Sequence, residues 1–181
     1  MQKIESATVV TPAGFKVGTA RCGLKKDASG PDTTVLLAPE GADGAGVFTT
    51  NRFAAPAVRR SQGLLPADDV RAVAVNSGNA NACTGPEGEE HNRRMARAVA
   101  ESVDCGGEQV ATCSTGVIGR PLPIDDLETA LREACGGASD QREAGESGAE
   151  AILTTDRGPK TAGMRATEAG ERFSVCGMAK G

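Results

Sequence analysis

The chain has 181 residues, of which 39% are hydrophobic, and its formal net charge is −4. The negative charge argues against nucleic acid as a partner, because binding to phosphates requires clustered Lys and Arg, and no apolar run approaches the ~20 residues that span a membrane. With only four Phe and no Trp or Tyr, the core has to be built from aliphatic side chains and Ala. We therefore expect one cytoplasmic domain, residues 1–181, made of packed α and β layers.

Short apolar segments bounded by Gly and Pro predict strands in the first half of the chain. The first 32 residues, rich in Gly, Pro, Lys and Asp, predict an irregular segment with one strand near Phe15–Cys22. Four more strands are predicted at Thr33–Leu37, Gly46–Thr50, Ala57–Arg59 and Arg71–Asn76. The last of them runs into Ser77–Gly85, a stretch of turn-forming residues.

Apolar residues at helical spacing predict a first helix over about Pro86–Val103. His91 lies in phase with Met95 on its apolar face, which favours a packed structural histidine over a general base. Thr84 and Glu87 have the spacing of a capping box at its start.

Two further helices are predicted over about 124–134 and 140–152, and a final strand over Phe173–Cys176. The mixed order of strands and helices indicates an α/β or α+β fold.

The six cysteines contain no C-x-x-C pair, and the chain has a single histidine. In a cytoplasmic chain such cysteines are most simply reduced and mostly buried thiols. A Cys/His zinc site would need an unusual ligand set with one histidine, so no metal site is predicted.

The segment Val110–Gly119 joins a short apolar run to small hydroxyl residues and glycine, and Arg120–Pro123 connects it to the second helix. Such a junction leaves backbone N–H groups and the Thr115 hydroxyl free to meet an anion or an oxyanion. The alternative is a plain strand-to-helix turn.

Two other segments carry polar residues with two interpretations each. Thr154–Asp156 either binds substrate or caps the turn that follows, since Thr and Asp commonly do so. Lys180 is either a surface charge or part of a site at the exit of the last strand. These alternatives stay open on local pattern alone.

Five segments together resemble a known family. They are Gly46–Arg52, Asn76–Gly85, Ser114–Gly119, Ala151–Asp156 with Pro159-Lys160, and Gly177–Gly181. In this order they resemble the α chain of the bifunctional ornithine acetyltransferases, the glutamate N-acetyltransferases of arginine biosynthesis.

The resemblance implies a four-layer α/β/β/α sandwich completed by a second, β chain in an α2β2 heterotetramer. Family members cut one precursor before a threonine, which becomes the nucleophile of the β chain, and this chain ends at Gly181, before that motif. The acetyl group passes from N-acetylornithine through this threonine to glutamate, releasing ornithine and requiring no metal or diffusible cofactor. The nucleophile is therefore expected on another chain.

The resemblance also assigns residues. Thr115 and Gly116 match the oxyanion-hole pair, and Thr154 and Lys180 match substrate-binding positions, although the adjacent Thr155 leaves the choice of threonine open. A lysine suits the α-carboxylate that both amino-acid substrates share.

The sequence is also compatible with two alternatives to the transferase. One is a self-cleaving aminopeptidase or amide hydrolase of the same architecture, and the other is a non-catalytic domain whose Thr-Gly turn holds an anion. The use of acetyl-CoA as a second donor is left open as well.

Overall fold

The computed structural model describes residues 1–25, 30–168 and 170–181, which form a mixed α/β fold with two sheets and four α-helices. In chain order, the elements of this described part are β1 (Gln2–Lys3), β2 (Lys16–Ala20), β3 (Thr33–Gly44), α1 (Pro56–Leu64), β4 (Ala67–Asn79), α2 (Gly85–Ser102), a short 3-10 helix (Gly107–Gln109), β5 (Val110–Val117), α3 (Ile124–Gly136), α4 (Arg142–Ala151), β6 (Lys160–Glu168) and β7 (Glu171–Ala179).

The larger sheet has the strand order β2-β3-β4-β5. Its first three strands are antiparallel, whereas β4 and β5 are parallel and are joined by the crossover helix α2. Parallel neighbours need such a crossover, because a tight turn can only reverse the chain direction. The parallel pairing brings the carboxyl ends of β4 and β5 to the same edge of the sheet.

Helices α2 and α3 pack on one face of this sheet and form the main core with it. Alternate strand residues point to this face, as the two-residue period of a strand requires. The fully buried side chains include Val35 and Ala74 of the sheet, Met95 of α2 and Leu127 of α3. The predicted core of aliphatic residues and Ala is thus realised between one sheet face and two helices.

Helix α1 covers the free edge of β5. The Ser61 side-chain oxygen accepts a hydrogen bond from the Thr112 N–H (3.2 Å) and donates one to the Thr112 carbonyl (3.0 Å). The Arg60 Nε donates to the Val110 carbonyl at 3.2 Å. These contacts satisfy backbone groups that an edge strand would otherwise leave unpaired.

The smaller sheet is a β6–β7 hairpin to which β1 adds at the edge of β6. Its register pairs Lys160 with Ala179 at the open end and Glu168 with Glu171 beside the turn. The residues that precede β6 and those that follow β7 therefore lie side by side.

Most predicted elements are confirmed, but two predicted strands are wrong. Ala57–Arg59 lies in α1, because Pro56 stands at a helix start, where its fixed φ and missing N–H cost nothing. Gly46–Thr50 forms no strand, and Val47 is 99% exposed. Strand β6 is missing from the prediction.

Several local predictions also have outcomes. His91 is buried on the packed face of α2, as predicted. The predicted capping box is wrong, since the Thr84 hydroxyl donates to the Asn81 side-chain oxygen at 2.8 Å and makes no cap bond with the helix backbone.

The six cysteines are free thiols, but none is fully buried, and Cys83 and Cys113 are exposed. No helix in the described ranges is long and apolar enough to cross a membrane.

We predict that the close contact between β2 and α3 tolerates no side chain at Gly18. A methyl group there would collide with the backbone carbonyl of Ala134, which cannot rotate away. Gly18→Ala should lower the free energy of unfolding by roughly 1–3 kcal/mol or more, the range of overpacking in a closed core, measured by urea denaturation.

The matched control is Gly63→Ala in α1, where an added methyl meets no atom. Alanine favours a helix by about 0.8–1 kcal/mol over glycine, so this variant should be at least as stable as the parent chain. Equal stabilities for the two variants would contradict the packing of α3 on β2.

Candidate active site

A cleft of about 700 Å³ contains all four residues that the sequence assigns to a site. It lies where the carboxyl end of β5 meets the segment after α4 and the end of β7. Its lining residues are Leu24, Lys25, Gly78, Thr115, Gly116, Val117, Arg120, Thr154, Thr155 and Lys180. Residues far apart in the chain thus converge on one concave surface, the usual form of a small-molecule site.

The end of β5 reaches the cleft through a close backbone contact with β4. Gly116 has φ +133°, and a Cβ there would collide with the backbone of Gly78 and Asn79. The register of the two strands shifts at this point. Only glycine permits this approach, which places the half-buried Thr115 and the exposed Gly116 at the cleft wall.

Three buried asparagines hold the loop that follows β4. The Asn76 side-chain amide donates to the Asn79 carbonyl (2.8 Å), and Asn79 donates to the Arg120 and Pro121 carbonyls (3.0 Å each). Asn81 closes the network with a bond to the Gly88 carbonyl at 2.9 Å. This network fixes the loop next to Thr115 and explains the Asn-rich pattern as a support of the site.

A second loop is shaped by the buried carboxylate of Asp32. It accepts backbone N–H groups from Cys22 (2.7 Å), Leu24 (2.6 Å) and Lys25 (3.3 Å). This loop lies so close to β4 that a Cβ at Gly78 would be 2.8 Å from the Leu24 carbonyl carbon. Asp32 therefore places Leu24 and Lys25 in the cleft wall.

The Lys25 ammonium is anchored by carbonyl oxygens. It donates to Pro31 and Ala151 at 3.1 Å each, the latter at the carboxyl end of α4. Burial lowers the pKa of this ammonium, the carboxylates of Asp32 and Glu150 offset part of that effect, and the neighbouring Lys180 adds to it. Partial negative charge at the end of a helix favours a cation at this position.

Thr154 and Lys180 are brought together through Asp156. The Asp156 carboxylate accepts the Thr154 backbone N–H and the Lys180 ammonium, both at 3.2 Å. Lys160 also donates to this carboxylate. This hydrogen bond is the main reason that the pKa of Asp156 lies well below its ordinary range. The Lys180 side chain keeps a quarter of its surface exposed to solvent.

The cleft offers two kinds of chemistry. Thr115 and Gly116 present a hydroxyl group and backbone at one wall, and Lys25, Arg120 and Lys180 supply cationic groups. Such a surface suits an anionic ligand. No group of three His, Cys, Asp or Glu side chains in the described ranges could hold a metal ion.

Sequence reasoning missed the residues that support the site. Lys25 and Asp32 belong to no recognised motif, and Arg120 is a lone charge in a loop. Asp32 had one usable signal, because an Asp directly before a strand often accepts backbone N–H groups from a neighbouring turn. Asp156 lies within the singled-out segment, but its partners depend on how β6 and β7 pair.

Comparison with known proteins identifies the family. The sequence profile of the ArgJ family matches residues 16–181. The arginine biosynthesis bifunctional protein ArgJ of Symbiobacterium thermophilum is 40% identical over 174 residues, which are 96% of this chain and 43% of that protein. A glutamate N-acetyltransferase of Methanothermobacter thermautotrophicus is 41% identical over 147 residues, which are 81% of this chain and 37% of that protein.

A solved structure matches the fold as well. The ornithine acetyltransferase of Mycobacterium tuberculosis, crystallised in complex with ornithine, superimposes with a TM-score of 0.92 at 34% identity, covering 99% of this chain and 94% of that one. The present chain spans about two fifths of the length of the curated relatives it matches. The resemblance carried by the five sequence segments is thereby confirmed, and the chain belongs to the ArgJ family.

Proposed function

We propose that this chain is the α part of a glutamate N-acetyltransferase that moves an acetyl group from N-acetylornithine to glutamate in arginine biosynthesis. The observation that carries the proposal is the single cleft that unites Thr115, Gly116, Thr154 and Lys180. Membership of the ArgJ family and the names of the relatives support the same activity.

The reaction proceeds in two half-reactions. The hydroxyl oxygen of the N-terminal threonine of a partner β chain attacks the acetyl carbonyl of N-acetylornithine, and its own α-amino group takes the proton. The C–N bond breaks, the proton goes to the leaving amine, and ornithine departs. The amine of glutamate then attacks the acetyl-threonine ester, which gives N-acetylglutamate and restores the threonine.

Thr115 and Gly116 stabilise the negative charge that develops on the acetyl oxygen. Both half-reactions pass through a tetrahedral intermediate, and donors fixed in advance are worth most at such a charge. The Thr115 hydroxyl and the Gly116 N–H are suited to this task, because the contact of Gly116 with Gly78 fixes the backbone that carries them.

Lys180 and Thr154 bind the part that both amino acids share. N-acetylornithine and glutamate each carry an α-carboxylate, for which an ammonium and a hydroxyl are suitable donors. Thr154 is favoured over Thr155 because its backbone is anchored to Asp156 and it is the less exposed of the two. Both steps are acyl transfers without redox change, so the proposal includes no metal or cofactor.

The proposal places residues 1–181 as one domain of a cytoplasmic α2β2 enzyme whose β chain completes a four-layer sandwich. The sheet face opposite α2 and α3 supports this, since its side chains Leu36, Val73 and Val75 are only half-buried. Val47 and Phe53 are also largely exposed in a loop beside α1. Apolar surface of this kind is typical of a face that packs against another chain.

A direct assay tests the proposed function. The enzyme purified with both chains should convert N-acetylornithine and glutamate into equal amounts of ornithine and N-acetylglutamate. Mass spectrometry should find a second chain that begins with threonine. Free acetate without N-acetylglutamate would favour the amide hydrolase, and the absence of both products would contradict either catalytic function.

We predict that Thr115→Ala lowers kcat by roughly 10²–10³-fold, the usual effect of removing one oxyanion donor. KM should change little, because the donor acts on a charge that exists only during the reaction. Thr115→Ser keeps the hydroxyl and should retain most of the activity. A raised KM at unchanged kcat would make Thr115 a binding residue.

We predict that Lys180→Met raises KM for both amino-acid substrates by roughly tenfold or more, since a hydrogen bond to a charged group is lost. Steady-state kinetics with each substrate varied in turn provides the measurement. Lys3→Met is the matched control, because Lys3 pairs with Glu5 on the surface and its side chain is 72% exposed. Equal KM values for Lys180→Met and the parent enzyme would remove the proposed role.

A further inference from the structure

Asp156 lies at the open end of the β6–β7 hairpin, behind the cleft wall. Its side chain has no solvent exposure, and it is not among the residues that line the cleft. The register pair Lys160–Ala179 closes the hairpin next to it. Its carboxylate therefore contacts both the segment that leads into β6 and the segment that leaves β7.

Four donors saturate this carboxylate. One oxygen accepts the Lys160 ammonium at 2.5 Å and the Gly181 backbone N–H at 2.9 Å. The other accepts the Lys180 ammonium and the Thr154 N–H, both at 3.2 Å. A carboxylate has about four lone-pair sites, so its hydrogen-bonding capacity is filled within the chain.

We propose that Asp156 is a positioning residue of the acetyl transfer. It holds Lys180 and Thr154 at a fixed distance from each other, so that the donors of both meet the α-carboxylate of each substrate. The proposal rests on the function proposed above and concerns a residue that touches no reacting atom. Its effect on the substrate passes mainly through Lys180.

The need for such a residue follows from the chemistry of lysine. The ammonium sits on a flexible four-carbon stem, and fixing it at the moment of binding costs conformational entropy. A bond to a buried carboxylate fixes one of its three N–H donors in advance and leaves the others for a ligand. Asp156 thus makes Lys180 a preorganised binding group.

Lys160 balances the negative charge of the Asp156 carboxylate. A carboxylate paired with Lys180 alone would cancel the charge of that ammonium, which is one of the cationic groups that line the cleft. Lys160 donates to Asp156 from the other side, so two ammonium groups face one carboxylate and one positive charge remains. Lys160 also donates to the Gly181 carbonyl at 2.9 Å, which ties down the residue after Lys180.

The charge of Asp156 persists in the assay. Its hydrogen bonds hold the pKa of the carboxyl well below the ordinary range, so it is ionised at neutral and mildly acidic pH. Any change of substrate KM with pH in that interval must come from the titration of other groups.

The experiment compares Asp156→Asn with Asp125→Asn in the complete two-chain enzyme. Asparagine keeps the size of the side chain but removes its charge. Asp125 also pairs with a cation, Arg94, but it lies on α3 with its side chain 87% exposed. We expect Asp156→Asn to raise KM for N-acetylornithine and glutamate by roughly tenfold with a smaller change in kcat, and Asp125→Asn to change neither.

A double-mutant cycle separates positioning from general structural support. In a Lys180→Met background, Asp156→Asn should raise KM much less than it does alone, because the residue through which it acts is gone. Fully additive effects, or a lowered melting temperature at unchanged KM, would overturn the proposal. Mass spectrometry confirms that each variant is processed into two chains.

Lys160→Met provides a second test that does not depend on the folding of Asp156→Asn. The Lys160 side chain is half exposed, so its loss should leave the fold intact. Asp156 then neutralises Lys180, and KM for both substrates should rise by roughly threefold or more at nearly constant kcat. Unchanged KM would overturn the charge argument, whereas a parent enzyme without transfer activity would instead overturn the proposed function.

Discussion

The contact between the backbones of β4 and β5 is the constraint on which the site depends. Gly116 and Gly78 approach so closely that a side chain at Gly116 would collide with the neighbouring strand. The strands are parallel, and α2 crosses between them, so their carboxyl ends lie side by side. Thr115 therefore lies at the carboxyl ends of β4 and β5, the position at which ligands of α/β proteins commonly bind.

Buried polar side chains then carry the loops around this contact. Asn76, Asn79 and Asn81 are almost completely buried and bond to backbone carbonyls, and Asp32 accepts the backbone N–H groups of the facing loop. A buried polar group costs about 1–3 kcal/mol if its partner is lost. Each of these residues therefore disfavours alternative loop conformations, and the rigidity of the cleft wall follows from that penalty.

The sequence predicts those parts of the fold that local pattern determines. The four-residue spacing of His91 and Met95 predicts α2. An amphipathic helix buries every third or fourth residue regardless of which element packs against it. Gly46–Thr50 has a strand-like composition but no partner strand among the described residues, and a strand needs one to satisfy its backbone. Local pattern does not predict helix α1, because a proline such as Pro56 can begin a strand or begin a helix equally well.

The candidate site is likewise only partly predictable from the sequence. Thr115, Gly116, Thr154 and Lys180 were found through the order of short segments along the chain, and the structure brings all four to one cleft. Asp156 could not be assigned in advance, since its bond to Lys180 spans 24 residues and depends on the β6–β7 register. Pairings of this kind are set by tertiary structure and leave no local pattern.

The two ends of the cleft meet different electrostatic demands. In the proposed reaction the oxyanion exists only during the chemical step, and a backbone fixed by Gly116 would stabilise it without reorganisation. The proposed substrate carboxylate is permanent, and it would meet a flexible ammonium whose position Asp156 fixes. If Lys180 binds the α-carboxylate equally in the ground state and the transition state, it lowers KM without accelerating the chemical step. Under the proposed function, the rate acceleration supplied by this chain then comes from Thr115 and Gly116, while Lys180 and its supporting ion pairs set the affinity of the position that both substrates occupy in turn.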